Sequence, residues 1–392
     1  MPENKKDDAI QEMWINLRNQ FPLRRDRIYL NTSTIGITPV PVLDSIHSHM
    51  KHCEEIGDIG HSNELWQSVK SGISLLLNCH IREIALTRNT TEGTNIVCNG
   101  LTFNAKDEII TSTHEHVGNT LPWLVRAKMA GLKIQTFEPS QNDDETLNRI
   151  INLISPRTRV ISLPHVSCAS GQILPVESVG CLARDHDIFY YVDGAQAVGN
   201  IPVDVKSIGC HSYSASGHKW LCGPNGTGFL YVQEDMLDTV QAHHVGAYSN
   251  TGDFNLNNGT MSLSETAQRY EYGTINTSLI YGLKTAIDFW SKINHKKIWK
   301  QNSTLTRFLR QGLLDIDAEI LTPAESGSII TFRFPNIDYQ HIQQRLWKTY
   351  RIRLRGIYEG DLNALRASIH IYNSYDEMKE VITALQNTLA ED

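Results

Sequence analysis

Seven cysteines are spread over 392 residues, and no two of them form a CxxC pair. An odd number at such spacing excludes a disulfide framework or a cysteine-based zinc site, and no metal site is expected. It points instead to reduced thiols in a cytoplasm-like compartment. Basic excess is missing too. Thirty-six Lys and Arg against 43 Asp and Glu leave a net charge of −7, which offers no electrostatic footprint for a nucleic-acid partner. Apolar runs stay short. Ile73–Leu77 already contains a serine, far below the roughly 20 residues of a membrane-spanning helix. At the N-terminus Lys5 and Lys6 stand beside Asp7 and Asp8 with no apolar core after them, so no signal peptide and no membrane partner are expected. Internal repeats and low-complexity segments are absent. What is left is 40% apolar and 20% charged, an ordinary globular composition. At about 150 residues per domain, the length suggests two to three domains.

Residues 1–27 are polar and read as a frayed tail leading into a short helix with Met13, Trp14 and Leu17 on one side. From about residue 80, short β-rich runs alternate with helical stretches. The runs are Glu83–Thr87, Glu108–Ser112, Leu132–Phe137, Val160–Leu163, Ile188–Val192 and Gly228–Val232. Many are apolar on both faces, as strands covered on both sides require. The alternation predicts right-handed crossovers and a mostly parallel sheet, whose chemistry gathers at the carboxyl ends of the strands. Near residue 275 the pattern changes. Leu279, Leu283, Ala286, Ile287 and Trp290 recur at helical spacing, and a second helix carries Leu305, Phe308, Leu309 and Leu313. A strand at Ser328–Phe334, a helix around Ile342–Trp347 and strands at Ile352–Leu354 and Ala367–Ile371 follow. The last helix opens with Ser374 and Glu377, a capping-box spacing. The fold class is therefore α/β, with a large domain at 28–273 and a small α+β domain made of 1–27 and 274–392.

The most informative stretch is YVDGAQAVGNIPVDVKSIGCHSYSASGHKWLCGPNGTGFLY, residues 191–231. Asp193 follows directly on the apolar run IFYYV, so it projects from the end of a buried strand, where a carboxylate is costly unless it meets a cation or a donor. Lys219 follows a second run and is flanked by Ser216, His218 and a glycine-rich turn. Such a lysine, held in a partly dry pocket, has its pKa lowered so that the free amine can form a Schiff base. Asp193 would then hold a protonated pyridine nitrogen. The bland alternative for either residue alone is an Asp ending a strand and a Lys on a surface turn. Thr90 and Thr91 open a helix after a strand, where free backbone N–H groups suit a phosphate.

These segments resemble the class V aminotransferase family of pyridoxal-phosphate enzymes, the group of cysteine desulfurases, selenocysteine lyases, cysteine and cystine C–S lyases and isopenicillin-N epimerase. The resemblance runs from YLNTSTIG at 29–36 to LRASIHIYNS at 365–374 and is strongest at VDGAQAVG and SGHKWLCGPNGTGFLYV. It implies the type I pyridoxal-phosphate fold, with a mostly parallel seven-stranded sheet, and pyridoxal 5′-phosphate as cofactor. It implies Lys219 as the aldimine lysine, Asp193 as partner of the pyridine nitrogen, and Gln196 near the cofactor's 3′-oxygen. Ser216 and His218 would bind the phosphate, together with the Thr90–Thr91 loop. In THEHVGNTLPW, residues 113–123, His116 would stack on the ring, with His114 the near alternative. YEYGTINT, residues 270–277, resembles the family's dimer segment, in which Thr274 would reach the phosphate held by the other subunit, so a homodimer sharing its active sites is implied. Arg366 matches the arginine that grips the substrate's α-carboxylate, and Arg355 is a second candidate.

Two departures shape the functional reading. Desulfurases of this family carry a nucleophilic cysteine on a C-terminal loop. Here the corresponding stretch is RLRGIYEGDLNALRAS, and no cysteine follows Cys222. Persulfide chemistry needs a thiolate near the substrate sulfur. Cys168 stands where desulfurases have an asparagine near the 3′-oxygen. It would tune the cofactor, contact substrate or merely fill space. Cys222, three residues after Lys219, is placed close to the pocket as a replacement nucleophile or a buried inert thiol. The favoured reading is β-elimination at carbon–sulfur in a cysteine-type amino acid. Epimerase or aminotransferase activity, or a desulfurase with a relocated cysteine, is the alternative.

Overall fold

Residues 12–390 are described in the computed structural model; the expected frayed tail lies largely outside them. The short helix after it is present over residues 12–18. The two-faced runs become strands. In chain order the strands are β1 (Ile28–Tyr29), β2 (Ile84–Thr87), β3 (Glu108–Ser112), β4 (Lys133–Phe137), β5 (Thr158–Pro164), β6 (Phe189–Asp193), β7 (Ser212–Ser216) and β8 (Gly228–Val232). They continue with β9 (Asn250–Asn255), β10 (Thr260–Leu263), β11 (Glu319–Ile320), β12 (Ile329–Arg333), β13 (Ile352–Arg353), β14 (Arg355–Ile357) and β15 (Ala364–Ser368).

Seven of these build the large sheet in the order β2-β8-β7-β6-β5-β3-β4. Only β8 runs against the others. Alternation along each strand feeds two cores. Ile84, Leu86, Ile110, Ile161, Tyr190, Val192, Phe229 and Tyr231 enter one core. Their neighbours Ala85, Ile109, Val160, Tyr191, Leu230 and Val232 enter the other. This is why the runs read as apolar on both faces. The edge strand β4 is the exception, half-exposed over Lys133–Thr136.

A second, antiparallel sheet has the order β11-β12-β15-β14. Leu305, Leu309 and Leu313 of helix His295–Leu314 pack on it, as do Ile342 and Leu346 of helix Tyr339–Tyr350 and Met378, Val381 and Leu385 of helix Tyr375–Leu389. The last helix has the expected box: Ser374 Oγ accepts from the Glu377 amide, and the Glu377 carboxylate accepts from the Ser374 amide. The cores divide the chain differently from the sequence boundaries. Leu17 and Phe21, and Ile280, Leu283, Ile287 and Trp290 of helix Thr277–Ile293, pack into the core of the large sheet. That helix lies against helices Val40–Ile56 and Asn63–Leu77.

The expected strand at Ala367–Ile371 sits three residues earlier, as β15. Beyond Ser368 the chain turns, with the His370 amide donating to the Asn373 side chain at 2.9 Å. The hairpin β9–β10 gave no sequence signal. Its strands, NTGDFN and TMSL, are mostly polar and mostly exposed.

Candidate active site

The carboxyl ends of the parallel strands meet one face of the small sheet, and a cavity of about 250 Å³ lies between them. Five strand ends, those of β2, β3, β5, β6 and β7, deliver side chains to its wall. Asn89, Thr90 and Thr91 follow β2, His116 follows β3, and Cys168 follows β5. Asp193 ends β6, with Ala195 and Gln196 after it, and Ser216, His218 and Lys219 come from the end of β7. Arg355 and Arg366 reach in from β14 and β15. They are direct register partners, so their side chains share a face.

Asp193 is 7% exposed. Its Oδ1 accepts from the Ala195 amide at 2.9 Å. Burial pushes its carboxyl upward, while Lys219 and that amide pull it back. Burial likewise lowers the Lys219 amine, against the attraction of Asp193. The Lys219 backbone is packed so tightly that a Cβ on Gly36 would lie 1.9 Å from the Lys219 carbonyl oxygen. Gly36 donates to the His218 carbonyl at 2.8 Å.

At the other wall, helix Thr90–Gly100 is capped by Asn89, whose side chain accepts from the Glu92 amide at 2.9 Å. Ser216 Oγ bonds the Thr90 amide at 3.1 Å and the Thr90 hydroxyl at 2.7 Å. His218 Nδ1 is buried without a hydrogen-bond partner among the described residues. A helix N-terminus, two hydroxyls and an unpaired imidazole nitrogen form a cradle for an anion.

His116 caps helix Val117–Ala130, and its Nδ1 accepts from the Gly118 amide at 3.0 Å. The ring proton therefore resides on Nε2. Burial, helped by Lys219 and Arg355, pushes this histidine down to about 4, so it is neutral at pH 7. His114, the alternative, does not line the cavity.

Gln196 is held at both ends. Its Nε2 donates to the Ser33 carbonyl and its Oε1 accepts from the Trp220 indole, each at 2.9 Å. Arg366 is 1% exposed. It donates to the Cys168 carbonyl and to Thr34 Oγ1, and its Nε has no hydrogen-bond partner among the described residues. Among the described residues no carboxylate forms an ion pair with Arg366, whereas Arg355 is paired with Glu359. A buried guanidinium without a carboxylate calls for an anion, and its planar fork suits a carboxylate.

Of the residues singled out from sequence, Thr274 is not at this cavity. It is exposed and lines a separate recess with Arg88, Glu92 and Tyr272. Of the two readings of Cys222, the buried thiol is the one found, and the replacement nucleophile beside the pocket is not. Cys222 does not line the cavity, and burial drives its thiol far upward. The turn Lys219–Cys222, closed by the Cys222 amide donating to the Lys219 carbonyl at 3.1 Å, folds its side chain inward. Cys168 does line the cavity, with its thiol pushed up to about 11 by burial. Ser33, Thr34, Asn89 and Ala195 line it without having been singled out. The Asn89–Glu92 cap spacing was a readable signal. The role of Ser33 and Thr34 depends on a contact with residues over 300 positions away.

The family model for aminotransferase class-V matches residues 29–381. A probable cysteine desulfurase of Methanothermobacter thermautotrophicus is 28% identical over 384 residues, covering 93% of this chain and 95% of that protein. Among solved structures, the cystine C–S lyase C-DES in complex with its reaction product cysteine persulfide superposes with a TM-score of 0.86 at 26% identity, over 93% of this chain and 99% of that one. A lysine variant of C-DES with glycine covalently linked to its PLP cofactor gives a TM-score of 0.87 at 25% identity, over 94% and 98%. The seven-stranded, mostly parallel sheet is thus that of the type I pyridoxal-phosphate fold.

Four histidines, His116, His165, His218 and His370, are held down to about 4 by burial. Their folded values lie below the ordinary 6.5, so the unfolded chain binds more protons between pH 6.5 and 4. Stability is present above pH 6.5 and is lost as the pH falls toward 4, on the order of 2 kcal/mol per fully enclosed histidine by pH 5. The melting temperature is expected to drop between pH 7 and pH 5. His165→Gln, which removes a titrating group bonded to the Tyr213 hydroxyl, should narrow that drop; an unchanged drop in calorimetry would count against this account.

Proposed function

The chain belongs to the aminotransferase class-V family, and we propose that it cleaves the carbon–sulfur bond of a cysteine-type amino acid by β-elimination, with pyridoxal 5′-phosphate as cofactor. The observation that carries this reading is the enclosed pair Asp193 and Lys219, facing a buried Arg366 that has no carboxylate partner among the described residues. Relatives named cysteine desulfurase and cystine C–S lyase support the cysteine-type substrate.

The residues fit the cofactor. Ser216, His218 and the Thr90–Thr91 helix start would hold its phosphate, His218 through Nδ1, which has no hydrogen-bond partner among the described residues. Asp193 would meet the ring nitrogen, His116 the ring face, and Gln196 the 3′-oxygen. When bound, pyridoxal phosphate supplies a sink for the electron pair left at the substrate's α-carbon. Lys219 would carry the cofactor and, once displaced by the substrate's amino group, would take the α-proton on Nζ, with burial favouring its neutral form. Arg366 would fix the α-carboxylate through parallel hydrogen bonds, which orients the α-hydrogen toward Lys219. Asp193, whose charged form Lys219 and the Ala195 amide favour against burial, would keep the ring nitrogen protonated. Sulfur then departs with the electrons of the carbon–sulfur bond, and hydrolysis yields pyruvate and ammonia.

A second reading, a desulfurase working through a relocated thiol, is favoured by one observation: Cys168 lines the cavity. A thiol pushed up to about 11 holds little thiolate at neutral pH, which speaks for elimination. We also propose a homodimer, since Thr274 is exposed and away from its own cavity, as a residue serving a partner's phosphate would be. Among the described residues no helix is long and apolar enough to cross a membrane. Seven free cysteines support a reducing, cytoplasmic setting.

Incubated with cysteine, cystine and cysteine S-conjugates, the protein should release pyruvate. Cys168→Ser should retain that activity within about tenfold, roughly 1.4 kcal/mol in the barrier. Alanine together with a protein-bound persulfide, abolished by Cys168→Ser, would establish the second reading instead.

Borohydride should fix the cofactor on the peptide bearing Lys219, and Lys219→Ala should lose the visible absorbance. An adduct on Lys206 would overturn the assignment.

Sedimentation of the cofactor-loaded protein should show a dimer; a fully loaded and active monomer would contradict the shared site.

A further inference from the structure

Behind the lysine lies a buried polar cluster that the chemistry above does not use. His370 is fully buried and sits four residues after Arg366 on the same segment. Its Nε2 is 2.9 Å from the Trp220 carbonyl oxygen, so it donates there. Its Nδ1 is 3.3 Å from Asn302 Nδ2 and accepts from it. The two bonds define one neutral tautomer. The ring stacks on Trp290 at 5.2 Å and 8°, and the Trp290 indole donates to the Leu221 carbonyl. Both carbonyls immediately after Lys219 are thus held by side chains from the C-terminal part of the chain.

The bonds close a ring around the cavity. The Trp220 indole donates to Gln196, and Gln196 donates to the Ser33 carbonyl. The Ser33 amide donates to Ser368 Oγ, and the next residue, Thr34, accepts from Arg366. Ser368, Arg366 and His370 belong to one segment. The lysine turn, the glutamine wall and the carboxylate-binding arginine are therefore referenced to the same five residues of chain, 366–370.

We infer that His370 is a positioning residue for Lys219: its imidazole clamps the turn that carries the lysine to the segment that carries Arg366, so that Nζ and the carboxylate fork keep a fixed separation. A misplacement of about an ångström at a proton-transfer step is enough to cost rate without costing binding. The inference rests on the reading of Lys219 as the cofactor-bearing lysine.

Four variants test it. His370→Phe keeps an aromatic face on Trp290 but removes the donor, whereas His370→Gln keeps an N–H for the Trp220 carbonyl. If the phenylalanine variant does not fold, His370→Met against His370→Gln makes the same comparison, and Lys219→Ala is the control. Two readouts on the cofactor-loaded protein are needed: the pH midpoint of the visible absorbance, and kcat against KM for pyruvate release from cystine. His370→Phe is expected to shift the midpoint by about half a pH unit or more and to lower kcat roughly tenfold, with KM within about twofold. His370→Gln should restore most of both. A wild-type midpoint and kcat in His370→Phe, or equal impairment in His370→Gln, would overturn the positioning role. Persistence of the absorbance in Lys219→Ala would instead overturn the reading of Lys219, so the two failures are distinguishable.

Discussion

Two opposite charges, Asp193 and Lys219, are enclosed together at the ends of neighbouring parallel strands, and the rest of the molecule answers to that constraint. Burial disfavours the charged form of each, and each favours the charged form of the other. Such a pair is stable only where its remaining donors and acceptors are met. The Ala195 amide meets Asp193, Gly36 lets a second segment press onto the Lys219 carbonyl, and the Cys222 amide closes the turn behind it. Parallel strands provide the setting because β6 and β7 end side by side, pointing the same way.

The two sheets divide the work by charge. The large sheet supplies hydroxyls, a helix N-terminus and neutral imidazoles along with the Asp–Lys pair, and these suit a phosphate and an aromatic ring. The small antiparallel sheet supplies guanidinium groups, with Arg355 and Arg366 directly opposite each other. Like charges facing across a ladder are destabilising. Glu359 pairs with Arg355, and its charge also acts on Arg366, which forms no carboxylate ion pair among the described residues. The cavity therefore lies between the sheets, because neither alone carries both kinds of group. Cys168 places a thiol on the cavity wall, and burial disfavours its thiolate form.

Legibility in the sequence followed burial and local pattern. Strands β3 and β8 were readable to the residue, and the capping box of the last helix likewise, because apolar runs and cap spacing are local signals. β7 was read only as an unbounded run before Lys219, since SYSAS holds just two apolar residues, Tyr213 and Ala215. The hairpin β9–β10, polar and exposed, had no pattern to read. Helix Thr277–Ile293 was legible as a helix, but not in its allegiance: an apolar stripe announces that it will be buried, not against which sheet.

By itself, then, the sequence determined the α/β alternation, the family and most of the residues that line the cavity from strand ends, because each of these is written in short contiguous motifs. Only the tertiary structure decided that Cys222 turns inward while Cys168 faces the cavity, since thiol orientation depends on the turn closed at Lys219. It alone showed that Arg366 lacks a carboxylate partner among the described residues, that Ser33 and Thr34 line the cavity, and that His370 bonds the Trp220 carbonyl. Those facts depend on contacts between residues 150 to more than 300 positions apart, and chain proximity carries no record of them.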